Sequence, residues 1–326
     1  MRKRLSTNFS RLWKSFLFVG VVVVLGFVAI TELSVDRYWA TGHMDNLYID
    51  MSRYDTYLRE ISEDQDNTEK AASSKTAVPV PAECTSFFDE CNDLMRIFFQ
   101  EEYAIDTTEQ LSQLRVMKAI YPDVISETVG GSYDSGTLYI NSVLLDSFMN
   151  DIAAGQESSA FESEPLSFKI LRNVYIHETI HYLGFSNEPQ FDRFIEAITE
   201  ALTEMVMDHG GIQYENMTGY IVIKDLAYQI AAADSTLIRN VLCDPSYELG
   251  AHFNTVLGAD YAETFNKLLL ILQSGGARKY REVPYLAQYM TYEYVKQVSG
   301  IAKRSQFKDR SILPNFELKW LLGVHQ

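Results

Sequence analysis

Two histidines and a glutamate in this chain stand at a spacing that serves metal-assisted hydrolysis, in Tyr175-Ile176-His177-Glu178-Thr179-Ile180-His181-Tyr182-Leu183-Gly184. On a helix, His177 and His181 lie one turn apart on one face, so two imidazole nitrogens can converge on one ion. Glu178 sits at the edge of that face, where its carboxylate reaches a water at the metal without itself being a ligand. Two histidines need a third protein donor and one open position. Downstream, Glu196, Glu200 and Glu204 follow at four-residue intervals. Three acids stacked on one helix face repel one another unless a cation or a hydrogen-bond donor compensates them, so a metal-facing role explains the row.

These residues need helices to hold them. Phe168, Leu171, Val174, Tyr175 and Tyr182 recur at helical spacing, and Gly184 is a suitable stop. A second helix, starting near Asn187 or Pro189 and ending at Gly210-Gly211, carries the acids. Upstream, Phe87, Phe88, Cys91, Leu94, Met95, Phe98 and Phe99 predict an amphipathic helix over 84–104. A further helix is predicted over Thr108 to Ile120, capped by Asp106 or Thr107 and stopped before Pro122. The clear β signal is the turn-rich Gly130 to Gly136 followed by Thr137-Leu138-Tyr139-Ile140-Asn141. Beyond residue 160 the pattern is helical nearly to the end, broken at Gly184 to Pro189, Gly210-Gly211, Asp244-Pro245, Ser274 to Gly276 and Pro284. The expected fold class is α+β, predominantly helical.

The histidine pair, followed nineteen positions later by Glu200 in Thr199-Glu200-Ala201-Leu202-Thr203-Glu204, resembles the gluzincin metallopeptidases of thermolysin type. In that family the third ligand lies in a second helix, in a segment N-E-x-x-S-D. The resemblance covers residues 175–204 and implies a zincin-like fold with one Zn²⁺ per chain, held by His177, His181 and Glu200. It implies Glu178 as the general base and Glu204 as the acid that hydrogen-bonds a ligand histidine. Thr199 replaces the family's Asn and Glu204 its Asp, and Glu196 is the alternative ligand. The family also implies an edge strand or hairpin before the active-site helix, to which an extended protein or peptide substrate adds. That makes Leu138, Tyr139 and Ile140 the expected substrate-binding residues. An oxyanion donor is expected beyond the second helix: Tyr220, with Tyr214, His209 and His252 behind it. The metzincin continuation, by contrast, meets Asn187, a poor zinc ligand, where a third histidine or an aspartate is needed.

Composition sets the frame. The 326 residues are 47% hydrophobic and 22% charged, which excludes a disordered or fibrous chain. Residues 1–30 hold five basic side chains and no acid, so the net −16 leaves −21 on residues 31–326, an exterior that repels nucleic acid. The apolar run Phe16 to Ile30 behind a basic tail predicts a signal anchor over 16–33 that uses the lipid bilayer as a partner. On this reading 1–15 is a cytoplasmic tail, 34–81 a stalk or linker, and 82–326 an extracellular catalytic domain; secretion after signal cleavage is the alternative. Cys84 and Cys91, on one helix, are too far apart to pair; Cys243 could pair with either, but three buried thiols are expected. No G-x-S-x-G elbow, phosphate loop or G-x-G-x-x-G fingerprint competes with the metal motif. The implied function is a membrane-anchored zinc metallopeptidase. The alternative is a non-catalytic binding module on the same scaffold, which would hold zinc without cleaving peptides.

Overall fold

The computed structural model describes residues 51–62, 74–122, 130–156, 164–184, 188, 191–214, 220–244 and 246–299. The described residues from Ser52 onward form one compact unit. After a helical stretch over residues 55–62, helix α1 (Thr85–Tyr103) buries Phe87, Phe88, Cys91, Met95, Phe98 and Phe99 along one stripe and ends at Ala104 in the left-handed region. The next helix, α2 (Thr108–Gln113), is shorter than its sequence suggests. Leu114 turns extended, and residues 115–120 form a strand instead of the expected continuation of the helix. The reason is tertiary: this strand lies between two others and satisfies backbone groups on both sides, which outweighs local helix propensity.

Four strands make one sheet: β1 (Thr76–Pro79), β2 (Arg115–Ile120), β3 (Gly131–Asp134) and β4 (Thr137–Asn141), in the order β1-β2-β4-β3. β2 runs parallel to β4, with Met117 opposite Tyr139, and β1 and β3 pair antiparallel at the two edges. β3 and β4 are joined by the two-residue turn Ser135-Gly136, with both residues at positive φ, as a right-twisted hairpin requires.

The remaining elements are helices: α3 (Ser142–Ala153), α4 (Leu166–Leu183), α5 (Asp192–His209), α6 (Ile221–Ala233), α7 (Ser235–Cys243), α8 (Leu249–Leu257), α9 (Tyr261–Gln273) and α10 (Val283–Ser299). The fold class is therefore α+β, mostly helical with a small sheet. α4 lies between the sheet and α5 and is buried on nearly every face, including polar Arg172, Asn173, His177 and Thr179. Phe87, Phe148 and Phe168 cluster where α1, α3 and α4 meet, with centroids 4.5–5.7 Å apart. A second aromatic cluster, Phe191, Phe194, Phe253, Phe265 and Tyr294, seats α5 against α8, α9 and α10.

Three expectations are corrected here. The single-pass membrane placement finds no span: among the described residues no helix is long and apolar enough to cross a membrane. The tail 1–15 and the run 16–33 lie outside the described residues. The boundary at 81/82 does not coincide with the start of the compact unit, since β1 belongs to the sheet and Tyr54 donates to Glu282 at 2.8 Å. Of the cysteines, Cys84 and Cys91 are buried thiols, whereas Cys243 is exposed; none is in a disulfide.

Candidate metal centre

His177, Glu178 and His181 lie in the last two turns of α4. Glu196 and Glu200 lie on α5, which packs against it. Two contacts fix the connection between these helices. The Glu188 carboxylate accepts from the Leu249 and Gly250 amides at 2.6 and 3.0 Å, a favoured place for an anion at the start of α8. Gly184 touches α7 so closely that a Cβ would stand 2.6 Å from the Val241 carbonyl oxygen. The glycine that ends α4 is thus required by packing as well as by helix termination.

At the centre, His177 Nε2 lies 3.3 Å from His181 Nε2 and 3.3 Å from Glu196 Oε2, and His181 Nε2 lies 3.6 Å from Glu196 Oε2. These three atoms form the group that could hold a metal ion among the described residues. A tetrahedral zinc with bonds of about 2.0–2.1 Å has donors about 3.3–3.4 Å apart, so the observed triangle is the size of one tetrahedral face. The donor set also fits chemically: two imidazoles and a carboxylate are zinc ligands, and Glu196 is partly open to solvent, leaving room for water.

The row of acids is read one turn differently from the expectation. Glu200, expected as the third ligand, is fully buried, and its Oε2 lies 2.8 Å from Nδ1 of His177, the ring nitrogen away from the cluster. It occupies the position expected of Glu204, while Glu196, the alternative, meets the two histidines. Glu204 is off the site, paired with Lys224 Nζ at 2.6 Å. The acid that meets both histidines and the acid on Nδ1 of His177 stand four residues apart on α5, one turn earlier than the resemblance implies.

The electrostatics favour positive charge here. Burial works against a proton on His177, yet hydrogen bonds to Glu196 and Glu200 outweigh it and raise its pKa well above the usual histidine value. Burial would raise the Glu196 carboxyl, but the two histidines hold it well below the usual range. Glu178 goes the other way: burial pushes it up, His177 and His181 pull it down, and Glu196 and Glu200 add to the rise. Gly131 of β3 makes room for this residue, since a Cβ there would meet Val174 Cγ1 at 2.8 Å and Glu178 Cγ at 3.1 Å.

Tyr220 stacks on His177, with centroids 5.9 Å apart and planes 7° from parallel. Burial and then the Glu196 charge raise its pKa well above the usual tyrosine value, which keeps it a hydrogen-bond donor. Of the other expected donors, Tyr214 donates to Glu200 Oε1. His209 pairs with Glu101 and Glu102 on α1, and His252 contacts Tyr294 and Asp234; both are away from the cluster. The substrate strand is also corrected. β4 is interior, Leu138 and Ile140 are fully buried, and Tyr139 lies under Lys75 Nζ at 4.3 Å. The edge strand against α4 is β3, marked in the sequence by the glycine pair Gly130-Gly131. Asn187, the metzincin position, lies outside the described residues.

Comparison with known proteins found no matching family model, no similar curated protein and no similar solved structure.

Proposed function

We propose that the protein is a zinc metallopeptidase of gluzincin type, with His177, His181 and Glu196 as the zinc ligands and Glu178 as general base. The observation that carries this reading is the His177–His181–Glu196 triangle, whose sides of 3.3, 3.3 and 3.6 Å suit one tetrahedral face. Without a metal the same contacts are the hydrogen bonds of a charged His177, Nδ1–H to Glu200 and Nε2–H toward Glu196, in keeping with its raised pKa, so zinc binding is the measurement that separates the two readings.

Bound zinc would lower the pKa of water toward about 7 and polarise the scissile carbonyl. Glu178, adjacent to the first ligand, takes the water proton and returns it to the leaving amine. Glu200 holds His177 in the tautomer that leaves Nε2 free to bind metal. Tyr220, set by its stacking on His177, is the donor for the developing oxyanion. The outer edge of β3, an edge strand of the described sheet beside Glu178, is where an extended peptide would add. The test is Glu178→Gln in the full chain: zinc stays at about one per chain while peptide hydrolysis is lost. A zinc-loaded wild-type chain that cleaves nothing across a peptide library would instead support the non-catalytic binding module.

A further inference from the structure

The acid that holds His177 is itself held. Glu200 Oε2 faces His177 Nδ1 at 2.8 Å, and Glu200 Oε1 accepts the hydroxyl of Tyr214, which lies in the segment between α5 and α6. The Tyr214 ring is covered by Lys224 Nζ, 4.4 Å from its centroid, and the same ammonium pairs with Glu204 Oε2 at 2.6 Å. Lys224 is itself buried, so the cation over the ring is held in place by a protein partner. A chain of contacts therefore runs from α6 through Tyr214 and Glu200 to the metal-facing histidine on α4.

A carboxylate's terminal torsion is soft, and binding one oxygen leaves the group free to rock. Binding both fixes its plane, and a buried carboxylate that loses one donor pays in desolvation or swings to find another. We infer that Tyr214 is a positioning residue for the metal: its hydroxyl fixes the plane of Glu200, which keeps the His177 proton on Nδ1 and aims the Nε2 lone pair at the point shared with His181 and Glu196. The inference rests on the reading of these three residues as a zinc site. It adds a residue outside the motif on which zinc affinity depends.

The experiment is a zinc-affinity cycle on the full chain, by competition with a chromophoric chelator, using wild type, Tyr214→Phe, Glu200→Gln and the double variant. Phenylalanine keeps the ring under Lys224 and removes only the hydroxyl. Tyr214→Phe is expected to weaken zinc binding on the order of tenfold, the lower end for residues that orient metal ligands. In the Glu200→Gln background the same change has no further effect, because the path it acts through is already broken. A purely structural role would lower thermal stability and leave the zinc affinity of the folded fraction unmoved. Wild-type affinity in Tyr214→Phe, or independent addition of the two effects, overturns the inference while leaving the zinc site standing. A wild-type chain that binds no zinc overturns the metal reading itself. Should Tyr214→Phe not fold, a crystal structure of zinc-loaded wild type decides: the Tyr214 hydroxyl on Glu200 supports the inference, and Tyr214 turned away refutes it.

Discussion

His177 is the residue on which the site turns, because its two ring nitrogens address two acids one helical turn apart on α5. The i, i+4 histidine pair was legible in the sequence, since any helix brings those side chains to one face. Which acid joins them was not. Glu196, Glu200 and Glu204 share a face, and the height at which α5 crosses α4 is set by packing that no local pattern records. Two predictions belong at this scale. Tyr220→Phe should lower kcat on the order of a hundredfold or more with a small change in KM, as loss of an oxyanion donor does; steady-state kinetics read this directly. Glu204→Gln should leave zinc bound at about one per chain but reduce stability, because it removes the charge that partners buried Lys224. Chelator competition and a thermal melt separate the two effects.

The elements that position these residues were partly visible. The stripe of α1 read correctly, because a 3.6-residue period reports burial on one side of a helix, whereas in α4 the period marked the existence of the helix but not its burial on nearly every face. β2 did not, because Arg115 to Ile120 carries no period-two alternation, and its strand conformation comes from partners remote in sequence. The interior place of β4 was hidden for the same reason. At this scale Gly131→Ala should drive a methyl into Val174 and Glu178 and cost about 1–3 kcal/mol, measured by denaturant unfolding. Arg172, fully buried on α4, makes paired hydrogen bonds to Glu164 at 2.6 and 2.7 Å. Arg172→Ala would strand that buried carboxylate and should cost about 3–5 kcal/mol. A variant as stable as wild type would show that this pair does not anchor the helix that carries His177 and His181.

For the molecule as a whole, three of the acids behind the net charge of −16, Glu178, Glu196 and Glu200, gather around the His177–His181 pair. Binding to the folded state alone should make zinc a stabiliser, adding about 2.7 kcal/mol at a free concentration one hundred times Kd; a thermal shift that reverses with chelator checks this. Acid sensitivity should come partly from Asp234, which caps α7 through the Leu237 amide and accepts the Tyr294 hydroxyl at 2.8 Å. Burial opposes its charge, but hydrogen bonds from His252, Tyr294 and Leu237 outweigh this and lower its pKa. A carboxyl depressed in the folded state contributes stability above its unfolded pKa of about 3.9 and loses it as pH falls through the folded value. Asp234→Asn should therefore lower stability at neutral pH and flatten its decline below about pH 4.

The most direct measurement is zinc content per chain, by elemental mass spectrometry on protein prepared without chelator, for wild type, Glu196→Ala and Glu204→Ala. The account predicts about one zinc in wild type and in Glu204→Ala, and a large loss in Glu196→Ala. Wild-type protein without stoichiometric metal, or Glu196→Ala with a full complement, would contradict it.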